Sequence, residues 1–419
     1  MSGTIVIVGL GYVGLPLARE AVLAGLNVTG LDLNRRVVDS LNSGKSHVDD
    51  LSDDDIREML ACGFSATVDG SIIGSADVVV VCVPTPLSEE GGPDLTAVVG
   101  ASEMIAKHIR EGMLVILEST TYPGTTDEVV RPILEQSGLV AGLDFNLAFS
   151  PERIDPGNPT FGAKNTPKVV GGHTPSCTQS AAEFYGQFVD STVRTRGTRE
   201  AEMAKLLENT YRHVNIALVN EMARFCHDLN IDLWDVINAA KSKPFGFQAF
   251  YPGPGVGGHC IPIDPNYLSH NVQARLGYPF RFVELAQEIN AGMPAYIVER
   301  AQDILNDSGK PLKGSKVLLL GVTYKANIAD QRESPATVIA EKFLAKGAIV
   351  QYHDPFVMEW NAVPLAERVA SPVEGVRTAD LAILLQNHRT YDIQSLAGHA
   401  RRFFDTRGGA PEGDNVARL

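Results

Sequence analysis

Continuous apolar runs alternate with helix-like segments over the N-terminal part of the chain. The run TIVIVGLG is typical of a buried parallel strand, and GLPLAREAVLAG has the apolar spacing of a following helix. NVTGLDL, ADVVVVCVPTP and MLVILEST are further strand-like runs. Because strands covered on both faces are apolar throughout, this βαβ rhythm predicts a doubly wound parallel sheet of the Rossmann type. We place this domain at residues 1–195.

The pattern then changes to that of one long helix. From Arg199 to Leu229 the chain contains neither Gly nor Pro, and such a helix is about 45 Å long. LWDVINAAKS and PFRFVELAQEINAGMPAYIVERAQDILND are further helical segments, so we expect an all-helical central domain at residues 196–306. Apolar residues recur at helical spacing along the long helix: Met203, Leu206, Leu207, Tyr211, Val214, Leu218, Met222 and Phe225.

Strand-like runs return in the C-terminal part of the chain. KVLLLGV, AIVQYHDP, LAILLQN and RFFDTRG, with helices between them, predict a second, smaller Rossmann-like α/β domain at residues 307–419. The last residues, GGAPEGDNVARL, are rich in Gly, Pro and acids, and we expect this tail to be frayed. The predicted fold class is α/β, with two Rossmann-like domains on either side of an all-helical domain.

Composition narrows the class of partner. The 419 residues are 44% hydrophobic and 21% charged, which is typical of a globular chain with two or three domains. The net charge of −14 argues against nucleic acid or an anionic membrane surface as the main partner, although a pocket can still be basic locally. The longest apolar run, residues 76–84, is too short to span a bilayer, and the N-terminus lacks the pattern of a signal peptide.

The five cysteines are widely spaced and include no CxxC pair. This favours a reducing cytoplasm, with neither a disulfide framework nor a metal site. We expect Cys62, Cys82, Cys177 and Cys226 to be small buried hydrophobic residues, because they lie in helix-like or strand-like contexts. Cys260 instead lies in the irregular segment YPGPGVGGHCIPIDP, whose glycines leave room to wrap a ligand. A thiol presented from such a loop is a candidate nucleophile.

A glycine turn between the first strand and the first helix predicts a dinucleotide site. Gly9 allows the tight turn, Gly11 lets the backbone approach the pyrophosphate, and Gly14 lets the helix pack on the strand. Asp32 ends the next strand and can accept both ribose hydroxyls, which favours NAD over NADP. A chance glycine turn beside a surface aspartate is the alternative.

Neighbouring residues extend this predicted cofactor site. Tyr12 and Val13 belong to the same turn, whose helix N-terminus offers free N–H groups to phosphate. Arg35 and Arg36 follow Asp32 and weaken the preference for NAD over NADP, and Arg36 is a candidate cofactor contact.

A nucleophilic cysteine beside a nicotinamide site suggests a particular oxidation. If NAD oxidises a primary alcohol to an aldehyde, a thiolate can add to it and form a thiohemiacetal. Loss of a second hydride gives a thioester, and water hydrolyses the thioester to a carboxylate. The expected reaction is therefore a four-electron conversion of alcohol to acid without release of the aldehyde.

Eight motifs, in order, carry a family resemblance over nearly the whole chain. They are GLGYVGLPLA, VCVPTP, ESTTYPGTT, FSPERIDPGN, EAEMAKLLENTYRHVNIALVNE, GPGVGGHCIPIDP, LLLGVTYKANIADQRESP and FFDTRG. The chain resembles the UDP-glucose/GDP-mannose dehydrogenase family of NAD-dependent, four-electron nucleotide-sugar 6-dehydrogenases. The resemblance implies a homodimer built on the long helix, although burial within one chain would give the same apolar pattern.

The resemblance also implies catalytic roles. Cys260 matches the nucleophile, and Lys205 matches a lysine that stabilises an oxyanion or handles protons. Asp264 matches an aspartate paired with that lysine. The remaining catalytic matches are Asn209 for substrate or water, Glu152 for thioester hydrolysis and Thr120 for the catalytic water. Taken singly, each has a simpler interpretation: a solvated helix charge, a loop carboxylate or a strand-end cap.

Substrate and cofactor contacts follow from the same resemblance. Lys325 matches a lysine that reaches the nucleotide sugar, and Arg407 matches an arginine near UDP, for which a guanidinium is well suited. Further expected substrate contacts are Glu152, Arg153, Lys205, Asn209, Tyr251, Gly255 and Gly257. Further expected cofactor contacts are Thr85, Pro86, Thr120 and Arg332.

The choice of sugar is the least constrained prediction. His259 before the nucleophile and the form FSPERIDPGN resemble the UDP-N-acetylhexosamine branch, and within it the UDP-N-acetylglucosamine enzymes more than the UDP-N-acetylmannosamine ones. UDP-N-acetylmannosamine or UDP-glucose oxidation, a two-electron hydroxy-acid dehydrogenase and a catalytically idle nucleotide-binding regulator remain alternatives. The chain departs from the family pattern in two places. One contains Lys241 and Lys243, where some relatives have an arginine that reaches the partner subunit, and the other is the segment AILLQNHRTYD.

Overall fold

The computed structural model describes residues 3–48, 51–86, 92–153, 155, 158, 160–258 and 260–419, with the side chains at 260–263 excluded. The chain forms two compact units. We call Met1–Glu208 with Asn266–Gly277 the N-terminal unit, and Asn209–Pro265 with Tyr278–Leu419 the C-terminal unit. The domain limits at 1–195, 196–306 and 307–419 stay a prediction.

The N-terminal unit is built on a sheet with strand order β3-β2-β1-β4-β5-β6-β7-β8. The order of its first six strands is that of a Rossmann fold. Neighbouring strands are parallel except for β6 and β7, which are antiparallel. The strands are β1 (Thr4–Val8), β2 (Asn27–Leu31), β3 (Ser65–Thr67), β4 (Val78–Val81), β5 (Leu114–Leu117), β6 (Asn146–Phe149), β7 (Lys168–Gly172) and β8 (Thr192–Arg194).

Helices cover both faces of this sheet, which explains its continuous apolar strands. In β1, Ile5 and Ile7 belong to one hydrophobic cluster while Val6 and Val8 belong to another on the opposite face. The helices are α1 (Gly14–Leu23), α2 (Arg35–Asn42), α3 (Asp53–Ala61), α4 (Thr96–Ala106), α5 (Arg131–Leu134) and α6 (Pro175–Tyr185), with a π-helical turn at Thr126–Val130 and 3₁₀ turns at Gly70–Ser75 and Glu135–Ser137.

The described residues of the predicted helical region form four helices. They are α7 (Thr198–Asp228), α8 (Leu233–Ala240), α9 (Cys260–Leu276) and α10 (Arg281–Asp307). The long predicted helix is therefore confirmed as α7. The expectation that Cys260 lies in an irregular segment is wrong, because Cys260 is the first residue of α9. Pro262 does not prevent this, since the N–H groups of a first helical turn have no intrahelical partner.

The C-terminal unit contains a parallel sheet with order β11-β10-β9-β12-β13-β14, again the Rossmann order. Its strands are β9 (Lys316–Leu320), β10 (Ile349–His353), β11 (Glu367–Arg368), β12 (Leu381–Leu384), β13 (Phe403–Asp405) and β14 (Val416–Arg418). Its remaining helices are α11 (Pro335–Ala345), α12 (Pro372–Thr378) and α13 (Ile393–His399).

The prediction of a frayed tail is wrong. The tail forms β14, which pairs in parallel with β13. The side chain of Leu419 packs into the hydrophobic core, its N–H donates to the Asp405 carbonyl, and its own carbonyl accepts from Trp234 Nε1. Paired backbone and one buried terminal side chain thus outweigh the Gly- and Pro-rich composition.

The cysteines follow the expectation at three of four described positions. Cys82, Cys177 and Cys226 are buried, but Cys62 is exposed. Cys62 caps the C-terminus of α3, where Gly63 turns the chain, so its side chain has no core to enter. Among the described residues, no helix combines the length and apolar character that crossing a membrane requires.

Candidate functional site

The glycine turn between β1 and α1 shows a separate reason for each glycine. Gly9 has a φ of 91°, and a Cβ there would lie 2.8 Å from the Cys82 carbonyl oxygen. A Cβ on Gly14 would lie 1.9 Å from the Gly9 carbonyl oxygen. A Cβ on Gly11 would meet nothing within 4 Å, so the space beside it is open. The turn therefore offers a phosphate an unobstructed approach to the start of α1.

Asp32 lies beside this turn and is held by backbone donors. Its Oδ2 accepts from Leu10 N–H at 3.0 Å, and its Oδ1 accepts from Asn34 N–H at 2.8 Å. The carboxylate remains partly exposed, which leaves lone pairs for ribose hydroxyls. Tyr12 and Arg36 are exposed, as contacts to a dinucleotide require.

Two predicted cofactor residues meet beyond the ends of β4 and β5. Thr85 Oγ1 donates to the Thr120 carbonyl at 2.7 Å. Tyr267 on α9 donates its hydroxyl to the Thr85 carbonyl, a contact that sequence reasoning missed. Pro86 is exposed next to Thr85. These bonds fix the carboxyl edge of the sheet, where open α/β sheets bind ligands.

Lys205 and Glu152 form a buried ion pair in the N-terminal unit. Lys205 Nζ lies 2.9 Å from both Glu152 Oε2 and the Glu152 carbonyl oxygen. The two side chains are only 6% and 10% exposed. Burying two charges is costly without pairing and hydrogen bonds, and a solvated helix lysine would not be placed this way. The simpler interpretation of Lys205 as a surface charge is therefore wrong.

A second buried ion pair, missed from sequence, supports the segment before Glu152. Lys168 Nζ lies 2.8 Å from Glu118 Oε2 and donates to the Pro151 carbonyl at 3.2 Å. Tyr185 donates its hydroxyl to Glu118. Burial, with Glu118 nearby, raises the pKa of the Tyr185 hydroxyl well above its usual value, so this hydroxyl stays a donor.

Glu202, three residues before Lys205 on α7, was also missed. Its carboxylate accepts from Gly124 N–H at 2.5 Å and from the N–H and hydroxyl of Thr126 at 2.9 and 2.7 Å. Burial raises the pKa of Glu202 to about 7. Glu202 lies in the motif EAEMAK, and its partners Gly124 and Thr126 lie in the motif ESTTYPGTT. Nothing in either motif distinguishes this buried glutamate from a surface charge.

In the C-terminal unit, Asn209 and Asp264 are brought together. Asn209 Nδ2 donates to Asp264 Oδ2 at 2.5 Å, and Asp264 is buried. Asp264 lies four residues after Cys260 on α9, so the two positions are one helical turn apart. The Cys260 side chain and His259 lie outside the described residues.

The glycines before Cys260 are required by packing as well as by any ligand. A Cβ on Gly257 would lie 2.5 Å from the Glu333 carbonyl oxygen, and one on Gly258 would lie 2.6 Å from the Tyr324 ring. Gly255 has a φ of 136°, a backbone conformation that residues other than glycine rarely adopt. The segment therefore lies directly against the loop between β9 and α11, a constraint that the sequence did not reveal.

Arg407 follows β13 and is a partly buried cation. Its Nε donates to the Leu385 carbonyl at 2.6 Å, and a Cβ on Gly253 would lie 2.9 Å from its NH1. Burial lowers the pKa of Arg407 to about 10, which leaves it charged at neutral pH. A partly buried, charged arginine is well suited to binding an anionic group.

Three other residues that were predicted to contact the substrate or the cofactor interact with residues of their own unit. Arg153 forms an ion pair with Glu208 at 2.8 Å, and Arg332 forms one with Asp330 at 2.6 Å. The Tyr251 ring stacks on Trp234, with centroids 5.7 Å apart. In the described residues, no cluster of three His, Cys, Asp or Glu side chains could hold a metal ion.

Comparison with known families covers almost the whole chain. The NAD binding domain of the UDP-glucose/GDP-mannose dehydrogenase family matches residues 3–189, its central domain matches residues 199–292, and its UDP binding domain matches residues 318–410. The chain therefore belongs to the UDP-glucose/GDP-mannose dehydrogenase family. The predictions of a three-domain α/β fold and of an NAD-dependent oxidoreductase are confirmed.

Three similar proteins illustrate that the relatives of this chain differ in the substrate that they are named for. The UDP-N-acetyl-D-mannosamine dehydrogenase of Escherichia coli (strain K12) is 34% identical over 93% of this chain and 94% of its own. The UDP-N-acetyl-D-glucosamine 6-dehydrogenase of Pseudomonas aeruginosa is 37% identical over 86% of this chain and 84% of its own. The UDP-D-ManNAc dehydrogenase structure from Pyrococcus horikoshii has a TM-score of 0.89 at 31% identity, and covers 99% of each chain.

Proposed function

We propose that this protein oxidises C6 of a UDP-N-acetylhexosamine to the uronic acid, with UDP-N-acetylglucosamine as the preferred substrate. The observation that carries the proposal is the start of α9, where Cys260 is the first helical residue and Asp264 follows one turn later. A helix N-terminus lowers the pKa of a cysteine thiol and favours the reactive thiolate.

The chemistry divides into two oxidations and one hydrolysis. Bound NAD supplies the hydride acceptor for each oxidation. The Cys260 thiolate adds to the C6 aldehyde carbon, and the Lys205 ammonium stabilises the resulting alkoxide and protonates it to the thiohemiacetal. After the second oxidation, water attacks the thioester carbonyl, the carbon–sulfur bond breaks, and the Cys260 thiolate leaves.

Glu152 is the proposed base for this hydrolysis. Its carboxylate is held by Lys205, and its segment is supported by the Lys168–Glu118 pair. A carboxylate so oriented can take the proton from the attacking water. Thr120 positions that water, and Asn209, with Asp264, holds the substrate.

Cations of the C-terminal unit are proposed to bind the UDP portion. Arg407 and Lys325 both lie within the segment that matches the UDP binding domain. Within the part of the chain that the structure describes, Arg407 forms no ion pair, and such a pair would otherwise neutralise it. An arginine of this kind can bind a phosphate through two parallel N–H groups.

UDP-N-acetylmannosamine is the second candidate substrate. The relatives from E. coli and P. horikoshii carry this name, and they match this chain over nearly its full length. UDP-glucose is a more distant alternative.

One assay tests the reaction and its substrate together. The purified protein is incubated with NAD and each of the three UDP-sugars, and NADH and uronic acid are both quantified. We expect two NADH per acid, with the highest kcat/KM for UDP-N-acetylglucosamine. One NADH per product would contradict the four-electron chemistry, and a higher kcat/KM for another sugar would overturn the substrate assignment.

A homodimer through α7 and a cytoplasmic location complete the proposal. An apolar stripe on α7 is exposed at Met203, Leu207, Tyr211, Leu218 and Phe225. These residues are four or seven positions apart, so they lie on one face of the helix, as in a helix-packing seam. Light scattering should show a dimer that Leu218→Glu converts to a monomer, with Leu143→Glu, at an 84% exposed loop position, as the matched control. A monomeric wild-type protein would contradict the dimer.

A further inference from the structure

The segment of residues 386–389, Gln-Asn-His-Arg, holds the loop between β9 and α11 at three points. Gln386 Nε2 donates to the Tyr324 carbonyl at 2.7 Å. Asn327 N–H donates to His388 Nδ1 at 2.9 Å, and Arg389 N–H donates to Asn327 Oδ1 at 2.7 Å. The clamped loop carries Lys325. This is the QNHR segment whose departure from the usual family pattern the catalytic scheme leaves unexplained.

The hydrogen bonds define the tautomer of His388. Because Asn327 N–H can only donate, His388 Nδ1 is the acceptor and Nε2 carries the proton. His388 Nε2 then donates to Asp354 Oδ2 at 3.0 Å, and both side chains are fully buried. Burial alone would raise the pKa of Asp354, but the hydrogen bond from His388 and backbone donors hold it below its usual value. Asp354 therefore fixes the His388 ring with Nδ1 facing the loop.

The loop needs this support because Asn327 has an uncommon backbone conformation. Its φ is 66°, in the left-handed region that asparagine tolerates better than most residues. Both its N–H and its side-chain oxygen are bonded to the QNHR segment. The Thr323 hydroxyl donates to the Lys325 carbonyl at 2.7 Å and closes the same turn. The backbone on both sides of Lys325 is thus anchored.

We propose that His388, oriented by Asp354, is a positioning residue that holds the Lys325 loop in the conformation that binds the nucleotide sugar. This inference rests on the proposed function, in which Lys325 contacts the substrate. His388 acts through the backbone of Asn327 and has no role in the oxidation itself. Its loss should weaken substrate binding and leave the dinucleotide site in the N-terminal unit unchanged.

Two substitutions separate the two hydrogen bonds of the ring. Asparagine can place an oxygen where Nδ1 lies, so His388→Asn keeps the acceptor for Asn327 N–H and loses the donor to Asp354. Glutamine can place an N–H where Nε2 lies, so His388→Gln keeps the donor and loses the acceptor. We expect His388→Gln to raise KM for the UDP-sugar about tenfold, since one hydrogen bond contributes about that factor. His388→Asn should stay within about threefold of wild type.

Other readouts distinguish positioning from general stability. For both variants, kcat and the Kd of NAD should change by less than about twofold. Their melting temperatures should fall by similar amounts, although KM changes mainly in His388→Gln. A KM that follows melting temperature in both variants, or that changes in neither, overturns the proposal.

Lys325→Ala makes failure of the positioning role distinguishable from failure of the proposed function. In the Lys325→Ala background, His388→Gln should raise KM by less than about twofold further, because both act on one contact. Full additivity overturns the positioning role and leaves that of Lys325 intact. An unchanged KM for Lys325→Ala overturns both.

Asn327 provides a second test if His388 variants do not fold. Asn327→Ala should raise KM, because alanine is strained at a left-handed φ. Asn327→Gly should stay closer to wild type, because glycine adopts this conformation without strain and keeps the N–H. Equal KM values for the two variants overturn the proposal.

Discussion

The two Rossmann-like sheets are built alike at their carboxyl edges. After the first strand of each, a glycine with positive φ donates its N–H to the end of the second strand, from Gly9 to Leu31 at 2.8 Å and from Gly321 to His353 at 2.9 Å. An aspartate then follows the second strand, Asp32 in one unit and Asp354 in the other. Each accepts from two backbone donors: Leu10 (3.0 Å) and Asn34 (2.8 Å), or Val322 (2.7 Å) and Phe356 (2.8 Å).

The two edges differ in how they use these parts. In the N-terminal unit the turn is short, Gly11 faces open space and Asp32 is partly exposed. In the C-terminal unit the loop is long and carries Lys325, while Asp354 is fully buried against His388. One framework therefore leaves the start of a helix open to a ligand, and the other supports a loop that carries Lys325.

The largest effect should follow from removing a cation of the C-terminal unit. We expect Arg407→Ala to raise KM for the UDP-sugar about 100-fold, because a hydrogen bond between charged groups contributes up to about 3 kcal/mol. Arg407→Lys keeps the charge but loses the forked geometry, and should recover only part of the loss. Steady-state kinetics measures KM for the UDP-sugar, and a titration with NAD measures the affinity for NAD. A comparable loss of NAD affinity in Arg407→Ala would show that the two edges do not bind separately.

The glycine turn should respond through its backbone. Gly14→Ala should lower stability by about 1–3 kcal/mol and weaken NAD binding, because its Cβ would collide with Gly9. Gly11→Ala should leave the melting temperature unchanged but still raise KM for NAD about tenfold, since the methyl group would occupy space left for the pyrophosphate. Thermal unfolding and kinetics separate the two. An unaltered KM in Gly11→Ala would reject the assigned phosphate approach.

The paired aspartates offer a smaller, more specific test. Asp32→Asn should raise KM for NAD several-fold, up to about tenfold, by weakening the bonds to ribose. Asp354→Asn should leave NAD binding unchanged and raise KM for the UDP-sugar instead, because an amide at this position no longer keeps the proton of the His388 ring on Nε2 and so no longer keeps Nδ1 an acceptor for Asn327. If the two substitutions had the same effect, the different uses of the two aspartates would be refuted.

The two units should also differ in how their stability depends on pH. Burial raises the pKa of Glu202 to about 7, so the folded N-terminal unit holds a proton that the unfolded chain has already released. The contribution of Glu202 therefore falls as pH rises from about 4.5 to 7, by about 1–3 kcal/mol. The lowered pKa of Asp354 has the opposite sign, so its contribution is kept above its usual pKa and lost in acid.

Denaturant unfolding between pH 5 and pH 8 measures this difference. The stability of wild type relative to Glu202→Gln should shrink as pH rises, while the stability relative to Asp354→Asn should stay constant. Parallel curves for wild type and Glu202→Gln would contradict the assigned role of Glu202.

Sequence patterns predicted the elements that have a strong period or a uniform apolar run. The strands β1, β4, β5 and β9 and the helix α7 fall into this class, because burial on both faces or an uninterrupted helical spacing leaves few alternatives. The tail and the start of α9 were predicted wrongly. In both, Gly and Pro suggested irregular structure. In the tail, however, Gly and Pro all precede β14, and the first turn of a helix tolerates Pro262.

The sequence predicted which residues belong to the candidate site better than it predicted the side chains with which they form ion pairs and hydrogen bonds. Motif order pointed to Lys205 and Glu152, but only the fold shows their burial and their direct ion pair. Lys168 and His388 carry no local signal, since their partners are 50 and 34 residues away in the chain. Long-range contacts of this kind depend on strand order, which spacing alone does not determine.

The central claim is that Cys260 carries the acyl group between the second oxidation and hydrolysis. The most direct measurement uses Glu152→Gln, in which the proposed base for hydrolysis is removed, mixed with NAD and UDP-N-acetylglucosamine and quenched in acid. Peptide mass spectrometry should find the uronyl group on the peptide that contains Cys260, and Cys260→Ser in the same background should abolish it. Acid formation with an unmodified Cys260 peptide, or an acyl group on another residue, would contradict the account.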